Sequence, residues 1–322
     1  MSTATFFTPV QPAIQLVEER MRAQADLDTH PDLRAALDQL IEAGGKRVRP
    51  TIVLLAGNML GADQEKLVTL GAALEMLHTA TLVHDDLIDS ALLRRGMPTL
   101  NSKWSPAATV LTGDFLFARA ARLASEIDNI RLMQRFAETL AIIVNGELTQ
   151  LFSARGLISR QNYYTRIYAK TASLFEMAGL SAGMVGTGDE SIQAALKTYG
   201  YETGMAFQIV DDVLDFSGEQ EVVGKPLGSD LLHGLVTLPA IYYAETHPED
   251  RDVEALRRGD WQDGASMIRL VESIRRSEAV QFALQEAAEY VERALKALAA
   301  FPISVEREAL ADLARYIIDR TV

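Results

Sequence analysis

The sequence predicts an all-helical protein, and two observations carry this prediction. Apolar residues recur at intervals of three and four through the segments 67–93, 130–152, 192–216 and 280–298, the spacing of one helix face. Alternating runs of β-branched residues, the pattern of a half-buried strand, are hard to find. Short breaks separate the helical segments at Gly44-Gly45, Leu60-Gly61, Gly96 with Pro98, Gly156, Gly186 with Gly188, Gly224 with Pro226, and Pro302. Such short loops favour antiparallel packing of neighbouring helices.

The composition indicates one folded domain spanning residues 1–322. Of the 322 residues, 48% are apolar and only 10 are proline, which suits a chain with a large core rather than a disordered one. The lack of cysteine excludes disulfides and thiolate metal sites, and the net charge of −13 argues against nucleic-acid binding. We find neither a secretory start nor an apolar run of about eighteen residues. A soluble, cytoplasmic protein without a membrane span is therefore expected.

Two acidic sequences share one spacing. The first aspartate cassette is Asp85, Asp86 and Asp89, and the second is Asp211, Asp212 and Asp215. On a helix that advances about 100° per residue, each cassette places three carboxylates on one face, where they repel. Each follows a segment poor in charge, and buried carboxylates must be protonated, paired or metal-bound. A solvated helix end is the alternative, but the duplication favours Mg²⁺ bound together with a diphosphate.

Basic residues near the cassettes are candidates for binding the phosphates. Lys46, Arg47 and Arg49 follow two glycines and precede Pro50, near the start of a helix, where free N–H groups attract anions. A solvated basic loop is the alternative. Six aspartates, one diphosphate and about three Mg²⁺ ions leave about three negative charges. The cations that would neutralise this charge are Arg94, Lys170 and Lys225.

At these positions the sequence resembles the trans-isoprenyl diphosphate synthases. The matching motifs are residues 44–50, both aspartate cassettes, Arg94-Arg95-Gly96, Gly113-Asp114, Lys170-Thr171, Phe207-Gln208, and Gly224-Lys225-Pro226 with Asp230. The resemblance implies a helical bundle around a deep central cavity, with the cassettes facing each other across its mouth. It also implies a homodimer, for which the segment 109–124, with few charges, is a candidate interface.

The resemblance also implies roles for individual residues. The six aspartates would hold about three Mg²⁺ ions on an allylic diphosphate, with Arg94, Lys170 and Lys225 completing the charge. Isopentenyl diphosphate, the second substrate, would bind to Lys46, Arg49, His78 and Arg95. Charge stabilisation on the leaving diphosphate assists C–O ionisation, and water must be kept from the allylic cation. Thr171 and Gln208 would line this region and stabilise the cation with their oxygens; ordinary helix residues are the alternative.

Product length is predicted from the residues one turn before the first cassette. Ala80 and Thr81 are small there, which leaves room for a tail of about C30 to C50, and Leu77 would lie lower along the same helix. Close helix crossing is another reason for small residues, and a short-chain product of C15 to C20 stays open. Leu235 stands where short-chain members carry lysine, and this sequence form looks like the long-chain branch.

Three other functions compete with this one. Glu75 and His78 have the E-x-x-H spacing of a di-iron bundle, but we find no second copy. A class I terpene cyclase typically replaces the second aspartate cassette and does not need the basic loop. A non-catalytic partner subunit of a prenyl synthase would be expected to lose residues from the cassettes or the loop. An active Mg²⁺-dependent prenyltransferase is therefore the leading hypothesis.

Overall fold

The computed structural model describes residues 5–25, 30–42, 45–94, 96–152, 156–217 and 227–320. The all-helical prediction is confirmed for these residues. Their helices are α1 (Gln11–Arg22), α2 (Pro31–Glu42), α3 (Val48–Met59), α4 (Gln64–Ile88), α5 (Pro106–Glu126), α6 (Ile130–Phe152), α7 (Arg160–Ile167), α8 (Ser173–Gly186), α9 (Glu190–Ser217), α10 (Ser229–Leu232), α11 (Leu238–Thr246), α12 (Arg251–Arg257), α13 (Gly264–Arg276), α14 (Ala279–Leu298) and α15 (Val305–Asp319).

Shorter elements interrupt this helical pattern. Turns of 3₁₀ helix span Thr5–Val10 and Leu100–Ser102, and a π-helical turn spans Tyr168–Ala172. A small antiparallel hairpin, β1 (Leu93–Arg94) and β2 (Met97–Pro98), pairs Arg94 with Met97. The hairpin directly follows the first aspartate cassette and was not predicted from the sequence.

The chain forms two compact units. Unit 1 comprises Met1–Thr139, Leu174–Gly200 and Ala300–Asp312, and unit 2 comprises Leu140–Ser173, Tyr201–Ala299 and Leu313–Val322. The first aspartate cassette belongs to unit 1 and the second to unit 2. That residues 1–322 act as one domain stays a prediction.

Helix α4 is the central helix of unit 1. It begins where the Asp63 side chain accepts a hydrogen bond from the Lys66 N–H at 3.0 Å, which caps one of its free donors. It is apolar around most of its circumference, from Leu67 to Val83, and packs against α1, α3 and α5. By length and composition it is the one described helix that would suit a membrane span, but 78% of its most apolar window is buried inside the protein. That burial identifies α4 as a core helix.

The carboxyl-terminal half of α9 is a buried part of unit 2. Its apolar residues are buried on both sides of the second cassette, as Met205, Ile209, Val213 and Phe216 show. Each aspartate cassette therefore lies in the last turns of a long helix whose preceding turns are fixed in a core. The backbone that leads into each cassette is therefore anchored in a core.

Candidate active site

The first cassette has one buried aspartate and two more accessible ones. Asp86 is buried, and its Oδ1 accepts hydrogen bonds from Nε and Nη2 of Arg94 at 2.8 and 2.7 Å. Asn101 donates to the backbone carbonyls of Asp86 and Ala91, which fixes the turn that leaves α4. Asp85 is half-buried and Asp89 is exposed. Arg94, predicted to face a diphosphate, therefore contacts the middle aspartate of the cassette.

His84, next to the first cassette, is held by helix α5. Its Nε2 lies 3.1 Å from the Val110 carbonyl oxygen and 3.6 Å from Oδ1 of Asp114. Gly113 makes this approach possible, because a side chain there would collide with the imidazole ring. The Gly113-Asp114 pair recognised in the sequence thus positions the residue that precedes Asp85.

In the basic loop before α3, one cationic side chain is exposed and two are buried. Lys46 is exposed, whereas Arg49 is buried with its guanidinium 4.7 Å from the centre of the Phe175 ring. Arg47 points into unit 1, where it pairs with Glu18 and Glu75. The prediction that three cations share one phosphate-binding loop is wrong for Arg47, because its charge is already compensated by two carboxylates. Glu75, the glutamate of the E-x-x-H sequence, is thus ion-paired with Arg47.

The second cassette is engaged by donors from its own unit. Asp212 is buried, and it accepts a hydrogen bond from the Tyr163 hydroxyl on Oδ2 and from the Gln208 amide on Oδ1, both at 2.8 Å. Burial, with the nearby charge of Asp230, raises the pKa of Asp212 to about 7. Burial and the neighbouring Asp212 also raise the pKa of Tyr163 well above its ordinary value. Tyr163 therefore remains a donor at any physiological pH.

The outer aspartates of the second cassette are also bonded. Asp215 accepts from the N–H and hydroxyl of Ser229 and from the Asp230 N–H, at 2.9 to 3.1 Å. Asp211 accepts from Nη2 of Arg320 at 2.8 Å. The Arg320 guanidinium also stacks over the Phe207 ring, 4.5 Å from its centre. Tyr163 and Arg320 were not predicted from the sequence, because their partners lie 49 and 109 residues away and no local motif marks them.

Lys170 and Thr171 occupy the π-helical turn of unit 2, a feature frequent at functional sites. The Thr171 hydroxyl donates to Oε1 of Gln208 at 2.6 Å, and the Gln208 amide in turn donates to Asp212. Lys170 is exposed and bonds Oε1 of Glu147 at 2.8 Å. The oxygen of Gln208, predicted to stabilise an allylic cation, thus already accepts a hydrogen bond.

The remaining predicted residues are partly described. His78 and Thr81 are half-buried, and Ala80 and Leu77 have no exposed surface. The Thr81 hydroxyl bonds the His78 carbonyl oxygen at 2.7 Å. Arg95 and Lys225 lie outside the described residues, as do Gly44, Gly224 and Pro226 of the motifs.

The donor chemistry fits Mg²⁺, although a preformed metal cluster is absent from the described part of the chain. Carboxylate oxygens are the hard ligands that Mg²⁺ prefers. Within the described ranges, however, no three Asp, Glu or His side chains converge closely enough to hold an ion. Donors of the protein instead engage most of these carboxylates, namely Asp86, Asp211, Asp212 and Asp215.

Comparison with known proteins gives matches along nearly the whole chain. The family model for polyprenyl synthetases matches residues 30–274. Heptaprenyl diphosphate synthase component 2 of Geobacillus stearothermophilus is 39% identical over 94% of this chain and 93% of its own length. A polyprenyl synthase of Caulobacter crescentus, solved in complex with calcium and isoprenyl diphosphate, is 36% identical with a TM-score of 0.90, covering 98% of this chain and 97% of its own. A decaprenyl diphosphate synthase of Rhodobacter capsulatus is 34% identical with the same TM-score, covering 98% of both chains.

Proposed function

Because this chain belongs to the polyprenyl synthetase family and is a prenyltransferase, we propose that it elongates an allylic diphosphate with isopentenyl diphosphate. The product is an all-trans polyprenyl diphosphate of about C30 to C50, since Ala80 and Thr81 are small and place no bulky side chain one turn before Asp85. The relatives named as heptaprenyl and decaprenyl synthases support this length. The observation that carries the proposal is the pair of aspartate cassettes, each held at the end of a core helix.

The cassettes bind the allylic diphosphate together with about three Mg²⁺ ions. Their outer aspartates, Asp85, Asp89, Asp211 and Asp215, supply the ligand oxygens. The middle pair holds each cassette in place, with Asp86 bonded to Arg94 and Asp212 to Tyr163. When bound, Mg²⁺ stabilises the negative charge that develops on the departing diphosphate. The calcium and isoprenyl diphosphate named for the Caulobacter relative support a divalent ion at such a site.

The other site residues bind and orient the substrates. Lys170 and Lys225 complete the charge around the allylic diphosphate, and Thr171 and Gln208 lie beside the carbon that becomes positive. The Thr171 hydroxyl donates to Gln208 and so leaves its own lone pairs available to positive charge. Isopentenyl diphosphate is held by Lys46, Arg49, His78 and Arg95. Holding its double bond close to the cation replaces a bimolecular encounter with an oriented one.

The protein acts in the cytoplasm, as a homodimer in our proposal. The name of the Geobacillus relative, component 2 of a heptaprenyl diphosphate synthase, supports one alternative, in which a second polypeptide is needed for activity. Size measurement of the purified protein separates a dimer from a monomer. Activity of the purified chain alone excludes the requirement for a second component.

Product analysis tests the function. Purified protein is incubated with Mg²⁺, isopentenyl diphosphate and allylic primers of several lengths, and the dephosphorylated products are measured by mass. We expect a series of products ending at about C30 to C50. An Asp85→Asn, Asp211→Asn double variant is the control and should give none. Products that stop at C15 to C20 would contradict the chain length, and no elongation in the wild type would contradict the activity.

Thermal melting tests the metal site independently of turnover. Because cations and the diphosphate bind the outer aspartates only in the folded protein, Mg²⁺ with inorganic diphosphate should raise the melting temperature, and neither alone should do as much. An unchanged melting temperature would count against the metal site.

A further inference from the structure

Arg47 lies between two residues proposed to hold isopentenyl diphosphate, yet its side chain turns away from them into unit 1. Its side chain is only 7% exposed. Its three nitrogens each donate one hydrogen bond of 2.9 Å: Nε to Glu18 on α1, Nη1 to Glu75 on α4, and Nη2 to the Ile41 carbonyl on α2. The planar guanidinium thus joins three helices through all three of its nitrogens.

The backbone of Arg47 is unusual as well. Its φ of 44° and ψ of 36° are left-handed, a conformation that a side chain makes unfavourable. This corner lets the chain enter α3 directly after the exposed Lys46, and the Arg47 carbonyl accepts the first bonds of the helix, from Thr51 N and Oγ1. The three side-chain bonds compensate for the conformation and fix the direction in which the chain turns.

The charges around Arg47 make its removal costly. Glu75 is only 4% exposed, and its Oε2 has no hydrogen-bond partner among the described residues. Without the guanidinium, Glu75 would be a buried carboxylate with no cation, which favours displacement of the elements packed around it, including the loop and the start of α3 that the guanidinium anchors. Lys46 and Arg49 lie on the segment that would move.

We propose that Arg47 is a positioning residue for the isopentenyl diphosphate site, and that it fixes the loop so that Lys46 and Arg49 bind the same diphosphate. The inference rests on the proposed function, since it assigns a purpose to a loop of that site. Arg47 itself touches no substrate. Its effect passes through the backbone corner and the start of α3.

The test compares Arg47→Met with Arg47→Lys and with Arg122→Met, which removes an exposed cation from α5 as a matched control. Arg47→Met should raise the KM for isopentenyl diphosphate about tenfold or more, and change the KM for the allylic primer about twofold at most. Arg47→Lys keeps the charge but loses the fork, so it should fall between wild type and Arg47→Met. Arg122→Met should match wild type.

Partial unfolding would give a different result, because a smaller active fraction lowers kcat and leaves both KM values alone. If Arg47→Met does not fold, Glu18→Gln, which weakens one of the three bonds, should raise the same KM by a smaller factor. An equal change in both KM values, or no change in either, would overturn the inference.

Direct binding keeps the inference testable if the wild type shows no turnover. Calorimetry with isopentenyl diphosphate alone, without Mg²⁺ or primer, should give about tenfold weaker binding for Arg47→Met than for wild type. Equal affinities would overturn the positioning role whatever the activity. If the wild type binds isopentenyl diphosphate but shows no turnover, only the proposed function is contradicted.

Discussion

Replacing Gly113 by alanine should destabilise the protein through one identifiable collision. A β-carbon at this position of α5 would lie 2.5 Å from Cδ2 and 2.7 Å from Cε1 of His84, and closer still to its Nε2. Displacing the imidazole costs contacts, because it bonds the Val110 carbonyl at 3.1 Å and packs against Phe117 with ring centres 5.2 Å apart.

Two opposing effects set the size of this destabilisation. Overpacking of this kind costs about 1–3 kcal/mol, and displacing His84 also sacrifices a hydrogen bond of about 1 kcal/mol. Alanine in place of glycine inside a helix returns about 1 kcal/mol. The net loss in the free energy of unfolding is therefore about 1–3 kcal/mol. Urea denaturation without Mg²⁺ measures it.

A double-mutant cycle identifies the cause. In a His84→Ala background the obstacle is gone, so Gly113→Ala should become neutral or stabilising by up to about 1 kcal/mol. Gly264→Ala on α13, where nothing lies within 4 Å of the new carbon, is the helical control and should not destabilise. If Gly113→Ala is equally damaging in both backgrounds, the collision with His84 is not the reason for the glycine.

Three further results are expected. Because burial raises the pKa of Asp212 to about 7, the unfolded chain releases this proton at lower pH than the folded protein. The Mg²⁺-free wild type should therefore lose stability as pH rises from about 4 to about 7, and Asp212→Asn should lose less in denaturation across that range. Arg320→Gln frees Asp211 from its ion pair, so calorimetry should show tighter binding of Mg²⁺ alone; unchanged binding would contradict this. Thr81→Phe should shorten the product in mass analysis, and is better tolerated than a change at the fully enclosed Ala80.

The fold was predictable from sequence because helix periodicity is a local property. The repeat of apolar residues located α4 and α9, and the cassettes lie at their ends as the sequence indicated. The hairpin of Leu93–Arg94 and Met97–Pro98 was not predictable, since two residues per strand leave no alternating pattern. The long helices could be predicted because their apolar repeat extends over several turns, whereas a strand of two residues contains no repeat.

The site was predictable only as far as its residues stand in motifs. Lys46 and Arg47 are neighbours of the same charge, yet one is exposed and the other is buried against Glu18 and Glu75. What separates them is a backbone dihedral angle at Arg47 and partners 28 and 29 residues away. Neither the dihedral angle nor the distant partners can be inferred from the neighbouring residues in the sequence. The same holds for Tyr163, whose partner is set by tertiary packing.

The state of the six aspartates predicts the order in which ions bind. All six lie in the described residues, and in the second cassette each carboxylate accepts hydrogen bonds, with Asp215 capped by the backbone after Gly228. Only Asp89 of the six is exposed. An ion without diphosphate therefore meets less competition at the first cassette than at the second, where it must displace donors from a partly buried carboxylate.

Calorimetry with Mg²⁺ alone should accordingly show weakened binding for Asp89→Asn and nearly unchanged binding for Asp215→Asn. When inorganic diphosphate is present, its charge draws further cations to the second cassette, and both variants should bind less Mg²⁺ than wild type. If Asp215→Asn already abolishes binding without diphosphate, the hydrogen bonds to the second cassette do not restrain it. The aspartates of the second cassette would then bind Mg²⁺ as easily as the exposed Asp89 does.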